Sequence, residues 1–202
     1  MARYTGPKRK LSRREGMPLF GKDVKAMERK AAAVITTGPR GRNFRRRKSE
    51  YGIQLREKQK AKRIYGLLEK QFRKYYTAAA KEEGSTGLKL LELLETRLDN
   101  IVYRLGFSKS RAGARQLVSH GHVTVDGEKV DIPSYEVKKD QTIAISAKIV
   151  DNTQVKKSLE ESDTAPSWLD RKATVGKFLR LPQREEMEQG INEQMIVEFY
   201  SR

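Results

Sequence analysis

The chain has 202 residues, with 43 Lys plus Arg against 26 Asp plus Glu, a formal net charge of +17 and a pI of about 10.0. This length allows one or two domains with a real core, and a charge of this sign calls for an acidic partner, nucleic acid before an anionic membrane. The absence of cysteine excludes disulfides, thiolate metal sites and thiol nucleophiles, and no apolar run approaches the 18 or so residues of a spanning helix.

The charge falls along the chain. Residues 1–50 hold 16 basic and 4 acidic side chains, net +12. The net is +5 over 51–84, +2 over 85–150 and −2 over 151–202. Such a gradient predicts one side that faces a polyanion and one that does not. MARYTGPKRK lacks the apolar run of a signal peptide, so a cytoplasmic protein is expected.

Residues 1–48 carry many chain breakers, among them Gly6, Pro7, Gly16, Pro18, Gly21, Gly38, Pro39 and Gly41. One short helix is expected from Asp23 to Val34. The rest reads as an extended arm that orders on its partner. Tyr4, Phe20 and Phe44 interleave with the charges, unlike the composition of a purely solvating tail.

Ser49 is a good cap for a helix running to about Tyr65. Leu67 to Glu83 forms the next, closed by Gly84, with Leu68, Phe72, Tyr75 and Tyr76 near one face. Thr86 caps a third. Thr96 with Asp99 resembles a capping box, and Leu98, Ile101, Val102 and Leu105 follow as an apolar stripe ended by Gly106. Ser108 is expected to cap the helix of Arg111 and Arg115, which Gly121 ends.

Val123 and Val125 alternate with His122 and Thr124 as in a half-buried strand. Asp126-Gly127 is a hairpin signal, with Val130 and Ile132 returning, and Thr142 to Ile145 supplies a last strand. Residues 151–163 read as a loop or loose helix. Trp168, Leu169 and Phe178 should pack back on the sheet. Glu185 to Tyr200 is amphipathic near its end.

The expected fold class is α+β: a helical domain plus a small antiparallel-sheet RNA-binding domain with two packed helices, behind a basic N-terminal arm. The arm spans 1–48. The helical domain spans 49–92 and is completed by 183–202. The RNA-binding domain spans 93–182, with its module at 96–145.

Arg111 and Arg115 stand four apart, so both point to one side of their helix. A guanidinium fork can bridge two phosphate oxygens or stack on a base. Lys109 and Ser110 are expected in the first turn, where unpaired N–H groups favour an anion. Gln116 can read a 2′-hydroxyl or a base edge, and His120 and His122 flank Gly121 at the hairpin mouth. On charge alone, a solvated face with salt bridges explains these residues equally well. Arg45, Arg46 and Arg47 form the densest cationic run, which suits single-stranded RNA or a flexible linker. Two histidines without a third ligand make no zinc site. No phosphate-binding loop, zincin or nucleophile-elbow motif is present.

The segment RLDNIVYRLGFSKSRAGARQLVSHGHVTVDG closely resembles the RNA-binding module named after small-subunit ribosomal protein S-four. MARYTGPKRKLSRREG, YGIQLREKQKAKRIYGLLEKQFRKYY, SWLD and INEQMIVEFYS extend the resemblance to that bacterial family over essentially the whole chain. The resemblance implies a primary binder of small-subunit (16S) rRNA that nucleates assembly of the subunit body. It also implies contact with ribosomal protein S-five, a place at the entrance of the mRNA channel and an influence on translational accuracy. The protein would act as a monomer within the cytoplasmic ribosome, without a membrane or a cofactor. Some members hold zinc through four N-terminal cysteines, which this chain lacks.

With that resemblance, the residues expected to contact rRNA are Arg3, Tyr4, Arg9, Lys10, Arg13, Arg14, Lys22, Lys58, Arg63, Arg73, Lys109, Ser110, Arg111, Arg115, Gln116, His120 and His122. Arg45, Arg46 and Arg47 are expected to face incoming mRNA. Reversing the charge of both Arg111 and Arg115 to Glu is expected to weaken RNA binding and leave unfolding nearly unchanged. A pseudouridine synthase or tRNA ligase that borrows the module needs a further catalytic domain, for which the flanks are too short. A ribosome-rescue protein is usually shorter than this chain, and a DNA reader would show a zipper or finger pattern.

Overall fold

A computed structural model describes residues 4–20, 49–161 and 165–202. The helix expected at Asp23–Val34 lies outside these residues, as do Arg3, Lys22, Arg45, Arg46 and Arg47. In chain order the described helices are α1 (Lys8–Glu15), α2 (Glu50–Ile64), α3 (Glu69–Ala79), α4 (Thr86–Glu95), α5 (Leu98–Arg104) and α6 (Arg111–Ser119). Strands β1 (Val123–Val125), β2 (Glu128–Lys129) and β3 (Thr142–Ile145) follow, then α7 (Ala147–Val150) and α8 (Thr153–Glu161). Strands β4 (Leu169–Lys172) and β5 (Val175–Phe178), a 3₁₀ turn at Arg184–Glu186 and α9 (Glu193–Tyr200) complete the chain. Mixed helices and an antiparallel sheet make the fold α+β, as expected from the sequence. The chain divides into two compact units, one of Met1–Phe72 with Ile191–Arg202 and one of Arg73–Gly190.

The first unit begins with a helix where the sequence reading has extended arm. Gly6, Pro7 and Gly16 act as boundaries of α1 rather than as breakers. Pro7 is its N-cap, and Gly16 closes it at φ +74 with its N–H on the Ser12 carbonyl. Ser12 and Leu19 are buried, and the Ser12 hydroxyl accepts from the Leu19 N–H at 3.4 Å. The Glu15 side chain, fully buried, pairs with Arg63 and, at 3.3 Å, with Arg56 of α2. Ser49 caps α2 by accepting from the Gly52 N–H at 3.2 Å. Helix α9 lies beside α2: Gln54 donates to Glu198 at 2.9 Å, and the Tyr51 and Phe199 rings stand 5.6 Å apart. Ala61, Ile64, Phe72, Ile191 and Ile196 are buried in this unit.

Glu69 ties these helices together. It accepts from Lys58 at 2.7 Å, Lys62 at 2.9 Å and the Tyr200 hydroxyl at 2.8 Å. Burial opposes ionisation, but the three donors outweigh it and hold the Glu69 carboxyl at about 2, against an ordinary 4.5. A depressed carboxyl contributes stability above its unfolded value and loses it as pH falls through the folded one. The stability advantage of the unaltered chain over Glu69→Gln should therefore shrink between pH 4.5 and about pH 2. Urea unfolding at several pH values checks this, and a constant advantage would contradict it.

The second unit has its core between helices and one sheet face. The strand order is β2-β1-β3-β5-β4, with every pair antiparallel. Val123 and Val125 pair with Ile145 and Ile143, so all four point to one face. These four join Leu98, Ile101 and Val102 of α5, its C-cap Leu105, and Ala114 and Val118 of α6 in one buried cluster. Trp168 and Phe178 meet edge to face in the same cluster at 5.8 Å. Gly176 permits the close approach of β5 to α5, since a Cβ there would sit 2.5 Å from both Leu105 methyls. The hairpin turn has Asp126 at φ 51 and Gly127 at φ 88, as a type I′ turn requires.

Several local expectations need correction. The capping box at Thr96 and Asp99 does not form: Arg97 is the N-cap of α5, without a side-chain cap. Carbonyls from the 133–135 loop satisfy the helix start instead, with the Leu98 N–H on Tyr135 and the Asp99 N–H on Pro133. Asp99 is thereby left to pair with arginines. The cap of α6 is Ser110, which accepts from the Gly113 N–H at 3.1 Å, and Ser108 supports it by donating to the Ser110 carbonyl. The return strand is only Glu128–Lys129, and Ile132 is exposed. Trp168, Leu169 and Phe178 do pack on the core. They do so because β4 and β5 extend the sheet beyond β3.

Candidate nucleic-acid interface

The structure brings Arg111 and Arg115 to one side of α6 and turns both onto α5. The Arg111 Nε donates to Asn100 Oδ1 at 2.8 Å, and its Nη2 donates to Glu188 at 2.6 Å. Its guanidinium lies over the Tyr103 ring, 4.6 Å from the centroid. Arg115 is 8% exposed, with an Nη 3.7 Å from Asp99. The open basic face expected of this pair is therefore an intramolecular polar layer. Charge reversal at both positions would place carboxylates against Glu188 and Asp99, so the near-constant unfolding expected of that variant is corrected to a loss of stability.

A buried chain of charges continues this layer. Glu95, fully buried, accepts from Arg104 at 2.7 and 3.1 Å and from the Asn100 amide at 2.6 Å. Arg97, 1% exposed, donates to both oxygens of Asp99 at 3.0 and 2.7 Å and to the Tyr75 hydroxyl at 2.5 Å. Burial pushes the Tyr75 phenol up. Buried charges persist only when paired and hydrogen-bonded, and these groups satisfy one another. The layer fixes how α6 stands on α5.

What α6 offers outward is more polar than basic. Lys109, Ser110, Gln116, Ser119 and His120 are exposed along it. Lys109 and Ser110 precede the first helical residue rather than lying in the first turn. The His120 and His122 ring centroids are 6.2 Å apart, with Gly121 between them at φ +70. The Lys129 side chain covers Gly121 so closely that a Cβ there would clash with its Cε. Sequence reasoning does not single out Lys129, although a signal exists. A two-residue turn at Asp126-Gly127 sets Lys129 opposite Thr124, on the strand face shared with His122.

In the first unit, Tyr4, Arg9, Lys10, Arg13 and Arg14 are exposed, and Lys8 stands over the Phe20 ring at 5.5 Å. Two expected contact residues are occupied internally. Lys58 is buried, paired with Glu69 and 4.5 Å from the Phe199 centroid, and Arg63 pairs with Glu15. Arg73, in the second unit, is exposed. Among the described residues no group of three His, Asp or Glu could hold a metal, and no helix is long and apolar enough to cross a membrane.

Residues 3–95 match the family described as ribosomal protein S4/S9 N-terminal domain, and residues 96–143 match the S4 domain. A helix pair on a small antiparallel sheet, matched to that domain and joined to a strongly basic unit, defines an RNA-binding protein of the ribosomal class. The chain is 52% identical to "Small ribosomal subunit protein uS4" of Dictyoglomus turgidum over 206 aligned residues, covering 100% of both chains. It is also 52% identical to the protein of that name from Akkermansia muciniphila and 50% identical to the one from Polaromonas naphthalenivorans, again over the full length of each. The chain belongs to the small ribosomal subunit protein uS4 family.

Proposed function

We propose that this protein is a primary binder of small-subunit rRNA that helps nucleate assembly of the subunit body. As a member of its family it is a structural protein of the small ribosomal subunit, it binds RNA and it is not an enzyme. The observation that carries the finer reading is identity of about 50% over the whole chain, not the module alone. Module-only likeness would leave room for other RNA-binding proteins; full-length likeness adds the basic N-terminal unit. In this reading α1 grips rRNA phosphates through Arg9, Lys10, Arg13 and Arg14, and Arg3, Tyr4 and Lys22 add further rRNA contacts. The α6 edge and hairpin supply the shaped contact, through Lys109, Ser110, Gln116, His120, His122 and Lys129. Arg111 and Arg115 act there after partners rearrange, Arg73 contributes from an exposed position, and Lys58 and Arg63 contribute once their internal pairs with Glu69 and Glu15 open. Arg45, Arg46 and Arg47 face mRNA at the channel entrance, and contact with protein S-five links the protein to translational accuracy.

Footprinting tests the central claim. The purified chain should protect a discrete set of nucleotides on isolated small-subunit rRNA with no other protein present. Protection that requires other ribosomal proteins first would remove the primary-binder reading.

A further inference from the structure

We propose that Glu188 is an intramolecular stand-in for an RNA phosphate, a specificity-setting residue that RNA must displace to reach Arg111. This rests on the rRNA-binding reading above. One Glu188 oxygen lies 2.6 Å from Arg111 Nη2 and 3.5 Å from Arg104 Nη2. Its side chain is 29% exposed, against 16% for Arg111 and 19% for Arg104, so Glu188 is the most solvent-accessible of the three side chains.

An ordered turn presents it. Met187 is buried, Arg184 donates to the Glu188 carbonyl at 3.4 Å, and the Gln189 amide donates to the Met187 carbonyl at 3.3 Å. Arg104 also pairs with Glu95, and Asn100 and Tyr103 hold Arg111 beside Glu188. A carboxylate and a phosphate offer the same paired oxygens to a guanidinium fork. When a phosphate replaces Glu188, Asn100 and Tyr103 keep Arg111 aimed, and the displaced carboxylate moves into water. An RNA that cannot deliver a phosphate to that point leaves the pair closed, so Glu188 discourages casual polyanions.

The test is the affinity of the full chain for small-subunit rRNA at fixed salt. Glu188→Gln should bind roughly fivefold tighter, an increment in keeping with a partly screened ion pair. Glu188→Asp keeps the net charge but withdraws the carboxylate by one methylene, and should also tighten binding. Glu185→Gln, the same charge change at a nearby exposed turn position, should stay within about twofold, as expected for an exposed charge. Adding Arg111→Gln to Glu188→Gln should abolish the gain. Unchanged or weaker binding by Glu188→Gln, or an equal gain from Glu185→Gln, would overturn the inference while leaving the rRNA-binding reading intact. Failure of the unaltered chain to bind that rRNA would instead defeat the functional reading itself.

Discussion

Replacing Asp99 with alanine should lower the unfolding free energy of the second unit by about 3–5 kcal/mol, the range for removing one partner of a buried ion pair. Asp99 accepts two hydrogen bonds from Arg97, itself almost wholly buried, and lies 3.7 Å from Arg115. Without it, two guanidinium groups remain in a layer where the neutral Tyr75 hydroxyl still accepts from Arg97 and water has little access. The loss would be structural before it is functional, because this layer sets α6 on α5. Asp99→Asn keeps one oxygen acceptor and removes the charge, so it should cost less than alanine. Urea unfolding of the three chains measures both differences. A loss below about 1 kcal/mol for alanine would show the arginines finding other partners at little cost.

How much of this is legible in the sequence depends on how local each signal is. The α5 stripe at Leu98, Ile101, Val102 and Leu105 and the Asp126-Gly127 turn are readable because 3.6-residue and two-residue periods are local. Strand β3 is readable from Thr142 to Ile145 for the same reason. Helix α1 escapes such a reading because a glycine and a proline that look like breakers are its boundaries, and because eight residues give too few turns for a stripe. The β4–β5 hairpin escapes it because its two-residue turn begins with Ala173 at φ 51, which carries none of the usual turn signature. The candidate site is half legible. Spacing puts Arg111 and Arg115 together, but their engagement depends on Asn100, Asp99 and above all Glu188, which lies 77 residues from Arg111. No short-range pattern encodes a partner at that separation. A basic stripe on one helix can therefore be read as open or as neutralised with equal ease.

The N-terminal unit should show the larger effect on RNA binding. Changing Lys8, Arg9, Lys10, Arg13 and Arg14 together to Gln should flatten the dependence of binding on salt. Every phosphate that is no longer neutralised takes roughly 0.7–0.9 from the slope of log K against log salt, so four or five of them would lower it by about 3–4.5. The structure makes this a cleaner experiment than deleting residues 1–48. Deletion would remove Glu15, whose side chain is buried against Arg56 and Arg63, and would strip Ser12 and Leu19 from the packing. The five substituted side chains are exposed, so their removal leaves that packing in place. Glutamine is also a good helix former, so α1 itself should persist. The measurement is rRNA affinity between about 50 and 200 mM salt, the interval over which six to ten phosphate contacts change affinity by roughly 10³–10⁵. An unchanged slope would mean that these five cations face solvent in the complex. The electrostatic grip would then lie with other basic residues.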